Sequence, residues 1–590
     1  MTWRQEGSIA APDWLPLAIL AALLLTMVAA SGAGARPPAL VLFGGAALLL
    51  LAAWNAVSTA WSPSPAGARD EALLTALYLL TLLVPVLSLG GASARHHAVR
   101  LVVATLGILG GLTAFKLALA ARPSTLLFGG RLDFPVSYVN ACSALFVIGF
   151  WPAVVVTARR ESQIVTRAVA AGAGSLFLAL AVAAQSKGTI FGLAISALLL
   201  FGLAPGRLRL LAATVLVTAA PAAAIVPLTA PYRSTAVSVA HRAGWTALAA
   251  AAISVVIGVA YAVADRRLEI DADRRRLIGR AVLALVVAGV ASAMIVFFAT
   301  VPAPGTWASR TWASFKHRHP AQAGSTHLTS LGSNRYDFWR VALDEAATHP
   351  LRGVGGRGFY SAYLEHRRSQ ETPLRAHSLY LDALSELGVP GLLLLLVGVG
   401  APLALVARRL SQPHALAAFG ATTYFLAHAA VDWIWTVPVV GIPLFLFLGI
   451  GCAGEGTGRL PRSAAITTAI ACSAAAIFAF TPPWLAHRYV LAAYSTPAPA
   501  ADLSYARRLD PLSLEPYWAA WRLAATGTER VQALRAALRV EPQSVAVLFQ
   551  LGLAYRSVGR RAESLVYLRR ARALDPLEPA IRKALLTASR

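Results

Sequence analysis

Apolar blocks of about twenty residues recur along this chain, and they constrain its fold more than any other feature. A hydrocarbon core about 30 Å thick is crossed by about 20 helical residues, because a helix satisfies its own backbone N–H and C=O groups where no water can. About fourteen blocks can be drawn, near 14–31, 38–57, 71–90, 97–120, 136–158, 167–186, 188–204, 208–229, 244–265, 277–300, 379–407, 414–430, 438–454 and 463–482. With 57% hydrophobic and 13% charged residues among 590, the chain reads as all-α, a polytopic membrane helix bundle of about 12–14 spans. The block from Trp14 to Ala30 lacks a basic stretch before it and has many spans after it, so it is expected to remain as a helix and not be cleaved as a signal peptide.

Composition then narrows the function classes. Cys142, Cys452 and Cys472 lie in or beside apolar blocks at spacings that suit neither a zinc site nor a disulfide framework, so packing roles are expected and no metal or other cofactor. The formal charge of +25 does not point to nucleic acid, because arginines in a membrane chain set topology and bind anionic lipid. Alternating the blocks puts loops 31–37, 91–100, 159–167, 205–209, 266–280, 408–413 and 455–462 on one face with eighteen Arg, six of them in DRRLEIDADRRRLIGR. The short loops of the opposite face carry about seven Lys or Arg, so the Arg-rich face is expected to be cytoplasmic. Four regions follow: transmembrane helices over 1–300, a large extracytoplasmic loop over 301–376, transmembrane helices over 377–482, and a helical repeat region over 483–590, also assigned outside.

The loop 301–376 carries ten Lys or Arg against five acids, and its aromatic content predicts folded helices. An amphipathic helix is expected to open at Asn334-Arg335 and run past Arg340, and GVGGRG reads as a turn after Pro350, since neither a preceding strand nor a following Lys-Ser/Thr supports a nucleotide loop. His317 and His319 could bind metal, but without Cys or clustered acid they read as a solvated basic turn. The remaining polar patches all fall on the outer side: GGRLDFPVSYVN with Arg131, QSKG with Lys187, LRAHSLYLDALSELG with Arg375, His377, Asp382 and Glu386, and HAAVDWIW with His428 and Asp432. Ionisable groups at membrane depth cost about 2.5–3.5 kcal/mol each on insertion scales, so their convergence on one face marks a site. Asp382 and Glu386 share one helical stripe, and Glu386 is expected to pair with a buried Arg or His. His377, at a helix start where the dipole favours neutral imidazole, is available as a proton acceptor, or else is an interfacial His bonded to a carbonyl. His428 and Asp432, one helical turn apart, could hydrogen-bond each other, and Lys187 and Arg335 could snorkel to headgroups.

RAHSLYLDALSELGVPGLLLLL after NRYDFWRVALDEAATHPLRGVGGRGFY resembles the signature of the O-antigen ligase and Wzy-type polymerase family of bacterial polysaccharide glycosyltransferases. RLDFPVSYVNA, QSKG and HAAVDWIW are similar to its other recurring patches, and the likeness runs over roughly 40–455. The resemblance implies a GT-C-type enzyme of the bacterial cytoplasmic membrane that acts without metal. Its donor would be a polyprenyl-diphosphate-linked glycan, and its acceptor a hydroxyl of a glycan, lipid or protein. On this likeness Lys187 stands where an Arg is usual, Arg335 matches the loop arginine, and His377 matches the family His but is followed by Ser378 in place of Asn. These three are the implied catalytic residues, with Arg131, Arg340, Arg375, Asp382, Glu386, His428 and Asp432 as substrate-binding. Protein O-oligosaccharyl transfer, a lipid-linked glycan flippase and a non-catalytic scaffold are the rival readings.

After residue 482 the pattern changes to soluble amphipathic helices. Asp510-Pro511, Glu541-Pro542 and Asp575-Pro576 recur, and Leu551, Gly552, Tyr555, Gly559, Leu565, Leu568, Ala571 and Pro576 fit the tetratricopeptide pattern. Two to three helix–turn–helix repeats are expected, either binding a protein or glycan partner or capping the membrane domain.

Overall fold

The computed structural model describes residues 9–32, 34–267, 271–300, 304–316, 327, 335–454 and 458–589. His317, His319 and Asn334 lie outside the described residues. The protein is all-α: among the described residues the only strands are Leu127–Phe128 and Arg131–Leu132, an antiparallel pair joined by a tight turn.

Helix occupies each of the fourteen apolar blocks. Nine helices among the described residues are long and apolar enough to cross a membrane, or ten if Arg207–Ala223 and Ile225–Tyr232, bent by 62°, form one span. The difference from the expected 12–14 lies mainly in three short helices, Lys187–Leu203, Pro413–Ala429 and Pro438–Cys452, of 17, 17 and 15 residues. At 1.5 Å per residue they reach about 23–26 Å, at the short end of the range that crosses a membrane. Apolar side chains remain outside on the long helices, with Phe43 61%, Val256 69% and Phe478 77% exposed, as lipid-facing surfaces require. Helix contacts use small residues instead: a Cβ on Gly44 would stand 2.5 Å from Pro402.

Cα proximity divides the chain into two compact units. The first comprises Met1–His96, Asp337–Arg409 and Phe425–Arg590, and the second His97–Tyr336 and Leu410–Tyr424. In the second unit, helix Val237–Arg267 lies along helix Ile164–Ala184, and Arg167 crosses between them to Asp265 at 2.9 Å. In the first, helix Leu379–Ala407 lies along Ala39–Ser58, and the helices Arg335–Thr348 and Phe359–His366 pack through Phe338, Val341, Ala342, Phe359, Tyr363 and Ala376. The same unit holds the C-terminal helices Pro499–Leu509, Glu515–Leu523, Gly527–Val540, Val545–Ser557, Arg561–Leu574 and Pro579–Ser589. Successive members pack against each other, around cores such as Val531, Leu534, Val547, Leu551 and Tyr555.

The GVGGRG segment is a turn, and its glycines have a structural reason. Helix Leu379–Ala407 breaks at Gly388 (φ 69°, ψ −172°), and the turn fits against the break. Val354 and Gly355 N–H donate to the carbonyls of Ser385 and Glu386 at 2.9 and 2.8 Å, Val389 N–H donates to Pro350 O at 2.8 Å, and Trp54 Nε1–H donates to Leu387 O at 2.9 Å. The groups that the helix break leaves without helical partners are thereby satisfied. A Cβ on Gly388 would lie 2.6 Å from the backbone of Pro350 and Leu351, in a region of φ/ψ that only glycine enters easily. Gly388→Ala is therefore expected to destabilise the protein by at least about 1–3 kcal/mol. Thermal unfolding in detergent reads this, and an unchanged midpoint would contradict the role given to the break.

Candidate functional site

In the second unit, one polar cluster forms where two helices meet. Helix Ile164–Ala184 ends at Gln185, which adopts the left-handed conformation (φ 52°), and Ser186 caps the next helix by accepting a hydrogen bond from Thr189 N at 3.3 Å. Lys187 is thus the first residue of a helix, at the end where the dipole and unpaired N–H groups attract anions. Arg131, held by the short hairpin, donates to the carbonyls of Ala184 and Gln185 at 3.1 and 3.2 Å and to Asn140 Oδ1 at 3.1 Å. Half-buried Arg335, first residue of its helix, places a third positive charge close to Lys187.

His327 joins them. Its backbone N–H donates to Gln185 Oε1 at 2.9 Å, and burial followed by the charges of Arg131, Lys187 and Arg335 lowers its imidazole to about 4. The ring therefore stays neutral at pH 7, and the positive charges around it make the locus an anion site. A hydroxyl chain, Ser143 to Thr189 to Tyr424 at 2.7 and 3.2 Å, packs beneath the helix start. His327 escaped the sequence reading, since a lone His in a long loop carries no positional signal.

The first unit holds a second cluster. Buried Arg375 donates to both oxygens of Glu386 at 3.2 and 3.1 Å and also to Glu71. Glu71 further accepts from Arg357 Nε at 2.7 Å, and Glu386 from Phe359 N–H at 3.4 Å. Asp382 accepts Ala376 N–H at 2.7 Å. Glu71, Arg375, Asp382 and Glu386, with Asn55, Thr75 and Trp433, line a cavity of about 40 Å³ that has room for a few waters but not for a sugar. The expectation that Glu386 pairs with a buried Arg holds, and Asp382 and Glu386 do face one cavity. Arg375→Gln leaves two buried carboxylates without their shared guanidinium and is expected to cost about 3–5 kcal/mol. Unfolding of the purified variant in detergent measures it.

This network braces His377. The residue sits at φ 57°, a strained conformation outside glycine, directly before Ser378, whose Oγ caps the long helix by accepting from Leu381 N at 3.4 Å. Its Nδ1 lies 3.1 Å from Arg375 O, to which Nδ1–H donates, so that in the neutral ring the lone pair is on Nε2. The ring is half-buried between Phe338 and Trp433, with centroids at 5.3 and 6.2 Å.

Other expected site residues are placed differently. Arg340 is engaged within the loop, bonding Asp337 at 3.0 Å, Asp344 at 3.0 Å and His366 O at 2.7 Å, and it joins neither cluster. His428 and Asp432 are not one helical turn apart: the helix stops at Ala429, and Asp432 lies in the turn beyond it. There Asp432 accepts Trp433 N–H at 2.9 Å and so fixes the turn that presents Trp433 to His377. Glu71, the missed member of the network, was legible as an acid opening an apolar block.

Residues 234–396 match the family model described as O-antigen ligase. The match contains Arg335, Arg340, Arg375, His377, Asp382 and Glu386, and leaves Arg131, Lys187, His428 and Asp432 outside. None of the curated proteins matches the chain. The chain is thus an all-helical, multi-pass membrane protein whose residues 234–396, the central loop and the spans that flank it, are similar to the O-antigen ligase family.

Proposed function

We propose that this protein is a membrane glycosyltransferase that moves a glycan from a polyprenyl-diphosphate carrier to an acceptor hydroxyl, on the outer face of a bacterial cytoplasmic membrane, in cell-surface polysaccharide synthesis. The observation that carries this reading is the cluster of Arg131, Lys187 and Arg335 around neutral His327 at a helix start. The leaving group of such a transfer is a diphosphate, and cations positioned on its developing charge are what the reaction requires. Lys187 and Arg335 take the phosphoryl oxygens, with Arg131 completing the positive field. His377 Nε2 accepts the proton of the acceptor hydroxyl as its oxygen bonds to the anomeric carbon, and the bond from that carbon to the diphosphate oxygen breaks. Arg375, Asp382 and Glu386 act by holding the His377 segment. In this reading the loop 301–376 is extracytoplasmic and the region 483–590 is a tetratricopeptide-like array on the same side.

The test uses purified protein in lipid nanodiscs with a synthetic polyprenyl-diphosphate oligosaccharide and extracted envelope acceptors. Expected is polyprenyl diphosphate released in step with glycan transferred, and the product, whether a lengthened polymer, a ligated lipid or a glycoprotein, identifies the acceptor class. Donor that binds but is never consumed, and instead changes leaflet in proteoliposomes, would replace this reading with transport.

A further inference from the structure

The three acid–proline pairs of the C-terminal region occupy one repeated structural position. Asp510, Glu541 and Asp575 each follow the last residue of a helix, with φ/ψ of −136°/82°, −126°/87° and −143°/83°. The proline behind each disfavours helical backbone and forces this extended cap. Each backbone N–H still donates to an alanine four residues back, Ala506, Ala537 and Ala571, at 2.9, 3.1 and 3.0 Å.

All three are used against the rest of the same compact unit. Arg69 bonds Asp510, and Ser64 Oγ, on the residue that precedes helix Pro65–Ser88, donates to Glu541 at 3.3 Å. Arg367 clasps Asp575 with Nε and Nη2 at 3.1, 2.8 and 3.1 Å, both side chains almost wholly buried. A bidentate, buried Arg–carboxylate pair is the strong and geometrically specific form of this contact. The repeated acids therefore form a docking seam.

From Arg367 the contacts lead to His377. Arg367 Nη1 donates to Ser369 O at 3.1 Å, Ser369 Oγ pairs with Tyr363 OH at 2.9 Å, and Tyr363 OH donates to Asp337 Oδ2 at 2.9 Å. Arg368 N–H joins the same carboxylate at 2.8 Å, and Phe338, next in the chain, packs on both Tyr363 and His377. We propose that the C-terminal repeats clamp the loop, and that Asp575, through Arg367, is a positioning residue for His377. The catalytic part of this inference rests on the transferase reading above, whereas the clamp itself does not.

The experiment compares Asp575→Asn, Asp575→Arg, Arg367→Asp and the exchanged pair Arg367→Asp/Asp575→Arg in the full chain. It reads amide hydrogen exchange over residues 367–378 together with kcat and donor KM. Loss of the pair is expected to speed exchange there by about tenfold or more. Misplacement of the His377 segment is expected to lower kcat by up to about 10²-fold, with donor KM nearly unchanged. The exchanged pair restores both quantities. Unaltered exchange in every single variant, or no recovery in a folded exchanged pair, overturns the clamp. If wild-type protein turns over no donor, the transferase reading fails while the exchange measurement still decides the clamp.

Discussion

His377→Ala is expected to cut glycan transfer by about 10²–10⁴-fold, the range that a positioned general base contributes. Donor binding should remain close to that of the wild type, because the residue acts on the acceptor hydroxyl. The expectation rests on how much of the surrounding structure holds this one ring: a strained backbone at φ 57°, an Arg375 carbonyl against Nδ1, and aromatic walls from Phe338 and Trp433. His377→Gln tests the alternative in which the side chain only orients the acceptor. Glutamine offers an acceptor atom but is not a base, so it should be nearly as slow as alanine if Nε2 takes a proton. Recovery of most activity by glutamine would reduce His377 to a hydrogen-bonding role. Single-turnover measurements at saturating donor, with donor binding followed separately, distinguish these outcomes.

Lys187→Ala and Arg335→Ala are each expected to slow transfer by about 10²–10³-fold, the cost of removing one donor aimed at developing charge. Unlike His377→Ala, they should also weaken donor binding, since the diphosphate is already charged in the ground state. Lys187→Arg is expected to keep donor affinity, because the guanidinium retains the charge and adds a fork that fits phosphate. His327 supplies an independent readout at the same place. Burial and the three neighbouring cations hold its imidazole near 4, so a bound diphosphate, by offsetting those charges, should raise that value. Ring resonances of His327 that titrate identically with and without donor would place the diphosphate elsewhere, whatever the activities of the variants.

How much of this was legible in the sequence follows from what is local. Each of the fourteen apolar blocks is occupied by helix, because a helix closes its hydrogen bonds within itself and hydropathy needs no partner. Short range also explains where the reading slipped. His428 and Asp432 looked like helical neighbours, yet the helix ends at Ala429 and Asp432 lies in the turn beyond it.

The chain by itself determined the all-helical membrane architecture and the polar patches, and its resemblance put forward His377, Lys187 and Arg335. Only tertiary structure decided what each charged group does. Arg340 and Arg375 are both loop arginines in the sequence, but one is taken by carboxylates of its own helix while the other reaches Glu71, 304 positions away. His327 gained a role only when folding set three cations around it, and the acid–proline pairs became a seam only when Arg69, Ser64 and Arg367 came to face them. Helix formation is written in neighbouring residues, whereas a buried charge takes its meaning from whichever partner the fold brings within about 3 Å.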